Sequence, residues 1–490
     1  MKSKSDYSLS RRNLLLGGAS LVVSALGLPR PTHAATVREY RIIAAPGRAP
    51  LVGGDYPETA VWAYNSAVPG PEIRVRQGER LRVAVENRLD EETTVHWHGL
   101  RVPNAMDGVP HLTQEPIAPG ETFVYEFDVP DAGTYWYHPH QRGFEQVGRG
   151  LYGPLIVDEH EPIAVDRDVT WVLDDWRLQP DAQISDSFGN PMDMGMSGRL
   201  GNTVTINGRV PERFPVRSGE RLRLRLINAA NARIFALEFG GHRPIVIAYD
   251  GQPVEPHDPP GGRVVLGPAM RIDLILDMAG RPDERLSIID SFYEGLEYRL
   301  IDLAYGASPL RDRTPETPVA LPANTMPEPD LAAAEHHEVS FGGGMMSGMA
   351  DGMMGPGMMG GMMGGGRMDM RGMAHDGIWT INGVSATGHV MDPVLTLRKG
   401  RSYVLALRND TAWHHPIHLH GHSFRVISRN DQPTRHREWQ DTVLVSPREK
   451  VEIAFVADNP GNWMFHCHVL EHQAGGMMAV VRVTDGRDRA

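Results

Sequence analysis

The 490-residue sequence contains a single cysteine, Cys467, and no apolar run as long as the ~20 residues that a membrane-spanning helix needs. A lone thiol cannot form a disulfide within its own chain, so no disulfide framework is expected. The formal net charge of -12 lacks the basic excess that phosphate binding requires, which argues against nucleic acid as a partner. The hydrophobic content of 41% is that of an ordinary globular protein, in which the only thiol is either a core residue or a chemical group.

The N-terminus has the features of an export signal. Arg11-Arg12 precede an apolar run that reaches about Leu28, and the small-residue site Thr32-His33-Ala34 follows. We predict a twin-arginine signal over residues 1–34, delivered to the twin-arginine export machinery and removed after about Ala34. An apolar run of about 15 residues is short for a membrane anchor, so none is expected after cleavage. In a Gram-negative cell, the mature protein would then lie in the periplasm.

One module is repeated three times along the chain. In each copy, an asparagine is followed, nine and eleven residues later, by the two residues of a corresponding pair. The three asparagines are Asn87, Asn228 and Asn409. Each copy is entered by a glycine turn and then by alternating apolar residues, the period of a strand with one buried face. A size of about 150 residues per domain also gives three domains. We therefore expect an all-β fold of three β-sandwich modules, at about 36–160, 161–325 and 330–490.

The two outer copies carry four His-x-His pairs. Both residues of such a pair point to one face of a strand, so each pair can serve one metal cluster. Eight imidazoles suit a borderline metal such as copper. The middle copy has Leu237 and Phe239 instead, so we expect it to be a metal-free spacer between the outer two. The pairs are His96/His98, His138/His140, His418/His420 and His466/His468.

A second ligand set overlaps the last pair. Cys467 lies inside it and points to the other face of the strand, while His472 follows after five residues and Met477 after five more. With His415, these residues provide the two imidazoles, thiolate and weak thioether of a blue-copper electron-transfer site. A lone histidine pair or a lone buried cysteine is usually structural. Four pairs at matching intervals, with the only cysteine inside one of them, favour two metal sites joined by a short bonded path.

Four stretches of the chain resemble the signature motifs of the multicopper oxidases, namely His96-Trp97-His98-Gly99, Tyr137-His138-Pro139-His140, His415-Pro416-Ile417-His418-Leu419-His420-Gly421 and His466-Cys467-His468-Val469-Leu470-Glu471-His472 with Met477. The resemblance covers essentially the whole mature chain. It implies three cupredoxin-like Greek-key β-sandwich domains and four copper ions. It also implies an enzyme that takes electrons singly from a reducing substrate and passes them to dioxygen, making water.

The resemblance further implies which residue holds which copper. The type 1 ligands would be His415, Cys467, His472 and the axial Met477, whose spacing fits better than that of Met478. The type 2 copper would be held by His96 and His418. The two type 3 coppers would be held by His98, His138 and His468, and by His140, His420 and His466.

Asp107 is the candidate catalytic residue. It stands nine residues after His98 and matches an acid that lies near the copper cluster in related enzymes. We expect it to deliver protons or to orient water as a general acid. The alternative is an ordinary turn residue before Gly108. Several relatives carry another acid directly after the second type 1 histidine, where this chain has Gln473, so that second proton route lacks its acid here.

A segment rich in methionine and glycine, residues 342–373, interrupts the third module. Its composition allows a linker, but so many thioethers suit soft Cu(I). The segment resembles the methionine-rich insertion of bacterial cuprous oxidases, which implies that Cu(I) is the substrate and is oxidised to Cu(II) in copper detoxification. Met192-Asp193-Met194-Gly195-Met196 is a smaller patch of the same kind. Trp413 departs from the pattern, since those enzymes tend to carry a methionine for substrate copper two residues before His415.

Other functions remain open at this point. The first is a laccase-like oxidase of phenols or aromatic amines, which a small reducing substrate at the methionine-rich segment would also fit. The second is a protein that sequesters Cu(I) without turnover, although storage needs no trinuclear cluster. A copper-free relative would have lost ligands that are present here, and a copper nitrite reductase has two domains with fewer histidine pairs. The natural reductant, among Cu(I), Fe(II), Mn(II) and phenols, the oligomeric state and the type 1 potential are not determined by the sequence.

Overall fold

The computed structural model describes residues 36–316, 319–345, 378–386 and 392–485. The predicted signal over 1–34 and all but the first four residues of the segment 342–373 lie outside the described residues. Within the described ranges, strands dominate and the α-helices are short. This confirms the predicted all-β fold of cupredoxin-like sandwiches. No described helix is both long enough and apolar enough to cross a membrane.

The first part of the chain, to Asp158, forms two four-stranded sheets. Its strands are β1 (Val37–Ala49), β2 (Thr59–Tyr64), β3 (Ile73–Arg76), β4 (Arg80–Asn87), β5 (His96–His98), β6 (Thr122–Asp128), β7 (Gly133–His138) and β8 (Gly153–Asp158). A 3-10 turn spans Asn104–Met106 and the helix α1 spans Gly143–Gln146. The sheet orders are β2-β1-β4-β6 and β3-β8-β7-β5. Alternate residues of β4 are buried, as the period of two predicts.

The second part contains a six-stranded and a five-stranded sheet. Its strands are β9 (Arg167–Trp176), β10 (Thr203–Ile206), β11 (Arg213–Val216), β12 (Arg221–Asn228), β13 (Phe235–Phe239), β14 (Ile245–Tyr249), β15 (Gln252–His257), β16 (Val264–Leu266), β17 (Arg271–Asp277), β18 (Arg285–Asp290) and β19 (Tyr298–Tyr305). The helix α2 spans Pro191–Gly195 and a 3-10 turn spans Pro260–Gly262. The sheet orders are β10-β9-β12-β17-β14-β15 and β11-β19-β18-β13-β16.

The third part repeats the two-sheet arrangement. Its strands are β20 (Glu335–Gly343), β21 (Trp379–Ile381), β22 (Pro393–Arg398), β23 (Ser402–Asn409), β24 (His415–Leu419), β25 (Phe424–Arg429), β26 (Gln432–Pro433), β27 (Trp439–Gln440), β28 (Thr442–Val445), β29 (Lys450–Val456), β30 (Gly461–Cys467) and β31 (Met478–Thr484). The helix α3 spans Leu470–Ala474. One sheet has the order β21-β20-β23-β29-β25-β26, with β27 also paired to β25, and the other has the order β22-β31-β30-β24-β28.

Each of the three parts encloses an apolar core of its own between its two sheets. Leu237 and Phe239, which occupy the positions of metal-binding histidines in the sibling copies, belong to the core of the second part. A further apolar cluster, which includes Leu51, Trp136 and Ile227, joins the first part to the second. Burial at about 25 cal/mol per Å² of apolar surface makes these cores the main stabilising contribution.

The repeated asparagine has the same structural role in all three copies. Asn87, Asn228 and Asn409 end β4, β12 and β23 and are buried. In each, the side-chain amide donates to two or three carbonyls of two other segments, and Oδ1 accepts from the backbone N–H two residues later. The side chain therefore satisfies backbone groups where the strand turns away from the sheet. This need explains why the asparagine is also present in the copy that carries Leu237 and Phe239 in place of the paired histidines.

Replacing Asn228 by Ala tests this structural role apart from any metal. The change removes hydrogen bonds to the carbonyls of Arg233 and Leu266, at 2.8 and 3.0 Å, and one from the N–H of Ala230, at 3.0 Å. We expect the free energy of unfolding in urea to fall by about 2–4 kcal/mol, since buried backbone groups lose their partners. Leu296→Ala, at a side chain 72% exposed in the same part of the chain, is the control and should change it little. Equal losses in both variants would contradict the role.

Candidate metal centre

Two antiparallel strand pairs bring the histidines of the outer parts together. The pairing of β5 with β7 sets His96 opposite His138, and that of β24 with β30 sets His418 opposite His466. The prediction that both members of a pair lie on one strand holds for the first pair. In the other three, the second histidine follows the end of its strand, so the chain beyond the strand orients it; these residues are His140, His420 and His468.

All eight imidazoles of the four pairs are buried and meet in one pocket. His138 Nε2 lies 3.5 Å from His98 Nδ1 and 3.3 Å from His468 Nε2, and His420 Nε2 lies 3.1 Å from His466 Nε2. Several groups of three have ligand atoms within 4.8 Å of one another; they include His98/His138/His468, His140/His420/His466 and His96/His98/His418. The structure therefore places together the residues that the sequence motifs single out.

The hydrogen bonds of this pocket leave ring nitrogens available for metal. His96 Nδ1 donates to the Asp107 carbonyl at 2.7 Å, and His418 Nδ1 donates to the Asp441 carbonyl at 2.8 Å. A neutral imidazole has one donor and one acceptor nitrogen, so Nε2 of both rings carries a lone pair. Neither these two Nε2 atoms nor the ring nitrogens of His140 have a hydrogen-bond partner among the described residues, although all are buried. Such a set of unpartnered acceptors fits copper ions.

The predicted type 1 residues form a second, smaller group. Cys467 Sγ lies 3.4 Å from His415 Nδ1 and 3.7 Å from His472 Nδ1, and the two nitrogens are 3.2 Å apart. A point equidistant from these three atoms is about 2 Å from each, which is a metal–ligand bond length. Met477 is fully buried in the same core, whereas Met478 lines a cavity beside His140.

Burial keeps these ligands in defined protonation states. Desolvation places the pKa of seven imidazoles well below the usual 6.5, and those of His418 and His472 are also lowered, the latter to about 3. The imidazoles are therefore neutral and ready to bind metal. Burial raises the pKa of the Cys467 thiol, so the thiol keeps its proton until a metal ion replaces it. The seven are His98, His138, His140, His415, His420, His466 and His468.

Asp107 contacts both halves of the pocket. It is fully buried after the 3-10 turn, and its Oδ2 accepts from His420 Nδ1 at 2.9 Å. Its Oδ1 lies 3.3 Å from His96 Nδ1 and has no hydrogen-bond partner among the described residues. Gly108 beside it has φ +81°, and a Cβ there would lie 1.9 Å from the Val95 carbonyl oxygen, so the turn interpretation also describes this position. The acid is therefore a turn residue whose carboxylate lies against the pocket.

Sequence reasoning missed several residues that hold the ligands in place. Asp441 Oδ1 lies 3.1 Å from His98 Nε2, and Thr411 Oγ1 lies 2.8 Å from His415 Nε2. The Trp379 ring packs against His472, with centroids 4.2 Å apart. Second partners of this kind orient metal-binding rings and select their tautomers. Aspartate, threonine and tryptophan are common residue types with no characteristic spacing here, so the sequence carried no signal for them.

The fold and these two sites define a class: a copper protein built from three cupredoxin-like sandwiches, with a blue-copper-type ligand set beside a pocket of eight imidazoles. Family models described as multicopper oxidase match residues 50–162, 167–287 and 366–487. The chain belongs to the multicopper oxidase family. It is therefore a copper-dependent oxidoreductase that uses dioxygen as electron acceptor, and copper is its cofactor.

Individual relatives agree with this assignment. The chain is 32% identical to multicopper oxidase MmcO of Mycobacterium tuberculosis, over 94% of this chain and 90% of that protein. It is 26% identical to copper resistance protein A of Escherichia coli, over 86% of this chain and 89% of that protein. A crystal structure of a multi-copper oxidase from Pseudomonas thermotolerans superposes with a TM-score of 0.80 at 35% identity, covering 92% of this chain and 100% of that one.

The lowered pKa values of the histidines predict how pH affects the copper-free protein. Because the folded values lie below the unfolded value near 6.5, the unfolded chain takes up more protons as the pH falls. The stability from neutral imidazoles is therefore present in full above pH 6.5 and declines below it, by about 1 kcal/mol per imidazole between pH 7.5 and 5.5. Replacing both His140 and His468 by Gln should reduce this decline by about 2 kcal/mol.

Urea unfolding of copper-free parent and double variant at the two pH values measures this difference. Burial raises the pKa of Glu471 to about 7, so this carboxyl group changes the stability with pH in the opposite direction. Its contribution is the same in both proteins and cancels when they are compared. A double variant with the parent's full pH dependence would show that these two rings are protonated in the folded protein.

Proposed function

We propose that this protein oxidises Cu(I) to Cu(II) and passes the electrons to dioxygen, as a copper-detoxifying oxidase that the predicted twin-arginine signal sends to the periplasm. The observation that carries the proposal is a cover of methionines over the type 1 ligand His472. These methionines come from two different parts of the chain. Membership of the family supports the oxidase chemistry, and the kinship with a copper resistance protein supports copper as the substrate.

The cover is built on α2 and on the end of β20. His472 Nε2 donates to the Met196 carbonyl at 2.6 Å, directly after α2. Trp379 Nε1 donates to the Met194 carbonyl at 2.6 Å. The Met345 N–H donates to the Gly195 carbonyl at 2.7 Å, and the Met345 side chain fills the space where a Gly195 Cβ would stand. The two methionine-rich stretches thus meet next to the type 1 group through their backbones, and the Met345 side chain lies against Gly195.

Thioether sulfur is a ligand that Cu(I) prefers over hard oxygen donors. Met194, Met196 and Met345 are half-buried, so these residues are partly exposed to solvent. An electron released there has a path of a few bonds through the Met196 backbone and one hydrogen bond to His472. A phenol, by contrast, would have to approach His472 through the cover. This arrangement favours a metal ion over an aromatic reductant.

We propose the copper ligands that the family motifs imply. Copper, when bound, supplies one-electron transfer at the type 1 site and dioxygen reduction at the three-metal pocket. Cys467 lies between two pocket histidines in sequence, so its backbone joins the two sites. The type 1 ligands are His415, Cys467, His472 and Met477; type 2 is held by His96 and His418, and type 3 by His98, His138 and His468 and by His140, His420 and His466.

We also retain the module limits 36–160, 161–325 and 330–490 as a proposal.

Replacing Met196 and Met345 together by Leu tests the cover. Leucine keeps the apolar volume and removes the sulfur, so we expect kcat/KM for Cu(I) to fall about tenfold or more, which corresponds to about 1.4 kcal/mol. Oxidation of a phenol should be unchanged or faster. Oxygen uptake with each reductant at matched copper content is the measurement. Met326→Leu, at a half-buried methionine outside the cover, is the control. Unchanged Cu(I) kinetics in the double variant would favour the laccase-like alternative.

Replacing Asp107 by Asn tests its proposed role in proton delivery. Asparagine keeps the shape and can still accept from His420 Nδ1, but its amide cannot take up and release a proton as a carboxyl group can. We expect kcat to fall about 10²-fold or more while copper content is retained. The measurement is steady-state oxygen consumption together with metal analysis. If turnover persists with all four coppers bound, Asp107 is a turn residue only.

A further inference from the structure

Arg271 connects all three modules at a single buried point. It begins β17, in the middle module, and its side chain is fully buried. Its Nε donates to the Thr134 carbonyl of the first module at 3.2 Å. Nη1 donates to the Ala269 carbonyl at 3.2 Å and Nη2 to the Asp250 carbonyl at 3.1 Å, both within the middle module. The two remaining N–H groups donate to Asp441 of the third module, Nη1 to Oδ1 at 2.8 Å and Nη2 to Oδ2.

Asp441 in turn touches one ring from each outer module. Its Oδ1 accepts from His98 Nε2 at 3.1 Å, and its backbone carbonyl accepts from His418 Nδ1 at 2.8 Å. The Thr442 hydroxyl donates to Asp441 Oδ1 at 2.8 Å and lies 3.0 Å from His98 Nε2. Because that hydroxyl donates its single proton to Asp441, it can only accept a hydrogen bond from His98. Both neighbours of His98 Nε2 are therefore acceptors.

This environment determines the tautomer of His98. With the proton on Nε2, the lone pair is on Nδ1, which faces His138 Nε2 at 3.5 Å. Other rings of the pocket have the opposite arrangement, since Nδ1 of His96, His138 and His466 lies next to a backbone carbonyl oxygen. His98 thus presents Nδ1 to the pocket where these rings present Nε2. His98 keeps this opposite tautomer only while a hydrogen-bond acceptor, here Asp441 Oδ1, stays next to its Nε2.

The middle module also holds the backbone of Asp441. Asp250 Oδ2 accepts from the N–H groups of Asp441 and Thr442, at 3.1 and 3.0 Å. Its Oδ1 accepts from the Arg271 N–H at 2.9 Å. The link between β27 and β28 is therefore fixed through both its backbone and its carboxylate. A buried arginine fork matches a carboxylate in two positions, which gives geometric precision as well as attraction.

We propose that Arg271 and Asp441 are positioning residues for the three-copper pocket, through which the metal-free middle module sets the His98 tautomer. The middle module then does more than space the outer two. The inference rests on the proposed assignment of His98 as a copper ligand, but not on which reductant the enzyme uses. Residues that orient a metal-binding imidazole typically change metal affinity or activity 10–100-fold when altered.

The test is Arg271→Lys, which keeps the positive charge but has three donors on one nitrogen, so it cannot replace the five hydrogen bonds of the guanidinium or its two-pronged contact with Asp441. Arg225→Lys is the matched control, because Arg225 is equally buried in the same module and also contacts Thr134, yet touches no pocket histidine. Copper content, chelator competition, the blue type 1 absorption and the spectroscopic signature of the coupled type 3 pair are measured in both. These readouts do not depend on turnover.

We expect Arg271→Lys to retain the blue type 1 signal while its pocket copper binds 10–100-fold more weakly and the type 3 signature is lost or altered. Arg225→Lys should keep all four coppers with near-parent affinity. Equal effects in both variants, or an intact type 3 pair in Arg271→Lys, would overturn the proposal. A parent protein that binds no copper in the pocket would instead overturn the ligand assignment, which keeps the two failures distinct.

A measurement on the parent protein covers the case in which Arg271→Lys does not fold. Ring ¹⁵N NMR of the copper-free protein labelled at histidine reports which nitrogen carries the proton, with His98→Gln identifying the signal. We expect His98 to be protonated at Nε2 and His96 at Nδ1. A copper-free His98 protonated at Nδ1 would refute the proposal directly.

Discussion

Desolvation of the imidazoles at the junction of the outer modules is the constraint on which the structure depends. Burial lowers the pKa of nine ligand histidines of the two sites, which keeps these rings neutral with their lone pairs available. Neutral rings still need a partner for each N–H, and backbone carbonyls, Asp107 and Asp441 provide many of these partners. The burial that lowers the pKa of these histidines also leaves neutral ring nitrogens that can bind copper.

The middle module contacts the pocket although Leu237 and Phe239 stand where the outer copies have paired histidines. Its β13 carries Leu237 and Phe239 into an apolar core, which stabilises the module by itself. Its charged residues act at the boundary instead: Arg271 and Asp250 meet the loop that carries Asp441. A buried guanidinium between two carboxylates is costly to desolvate unless each donor is satisfied, and here all five are. Such a contact gives specificity of arrangement as well as energy.

The two proposed copper sites are joined through one short stretch of the chain. His472 and Cys467 belong to the type 1 group, and the neighbours of Cys467 in sequence turn into the pocket. On the outer side, His472 is bonded to the backbone after α2 and packed against Trp379. The outer side of His472 is thus covered by the protein's own chain, at a segment that contains Met194 and Met196. In the proposed function, this cover sets which reductant reaches His472, whereas the pocket of imidazoles serves dioxygen reduction.

The sequence by itself determined the all-β class, the repeat and the residues that meet at the two sites, because strand periodicity and ligand spacing are local properties. Only the tertiary structure decided how those residues are oriented. In three of the four pairs the second histidine lies beyond the end of its strand. The rule that alternate residues of a strand share a face therefore could not place His140, His420 or His468. Arg271 and Asp441 are 170 positions apart and belong to common residue types, so their contact with each other, and that of Asp441 with His98, appears only when the modules pack.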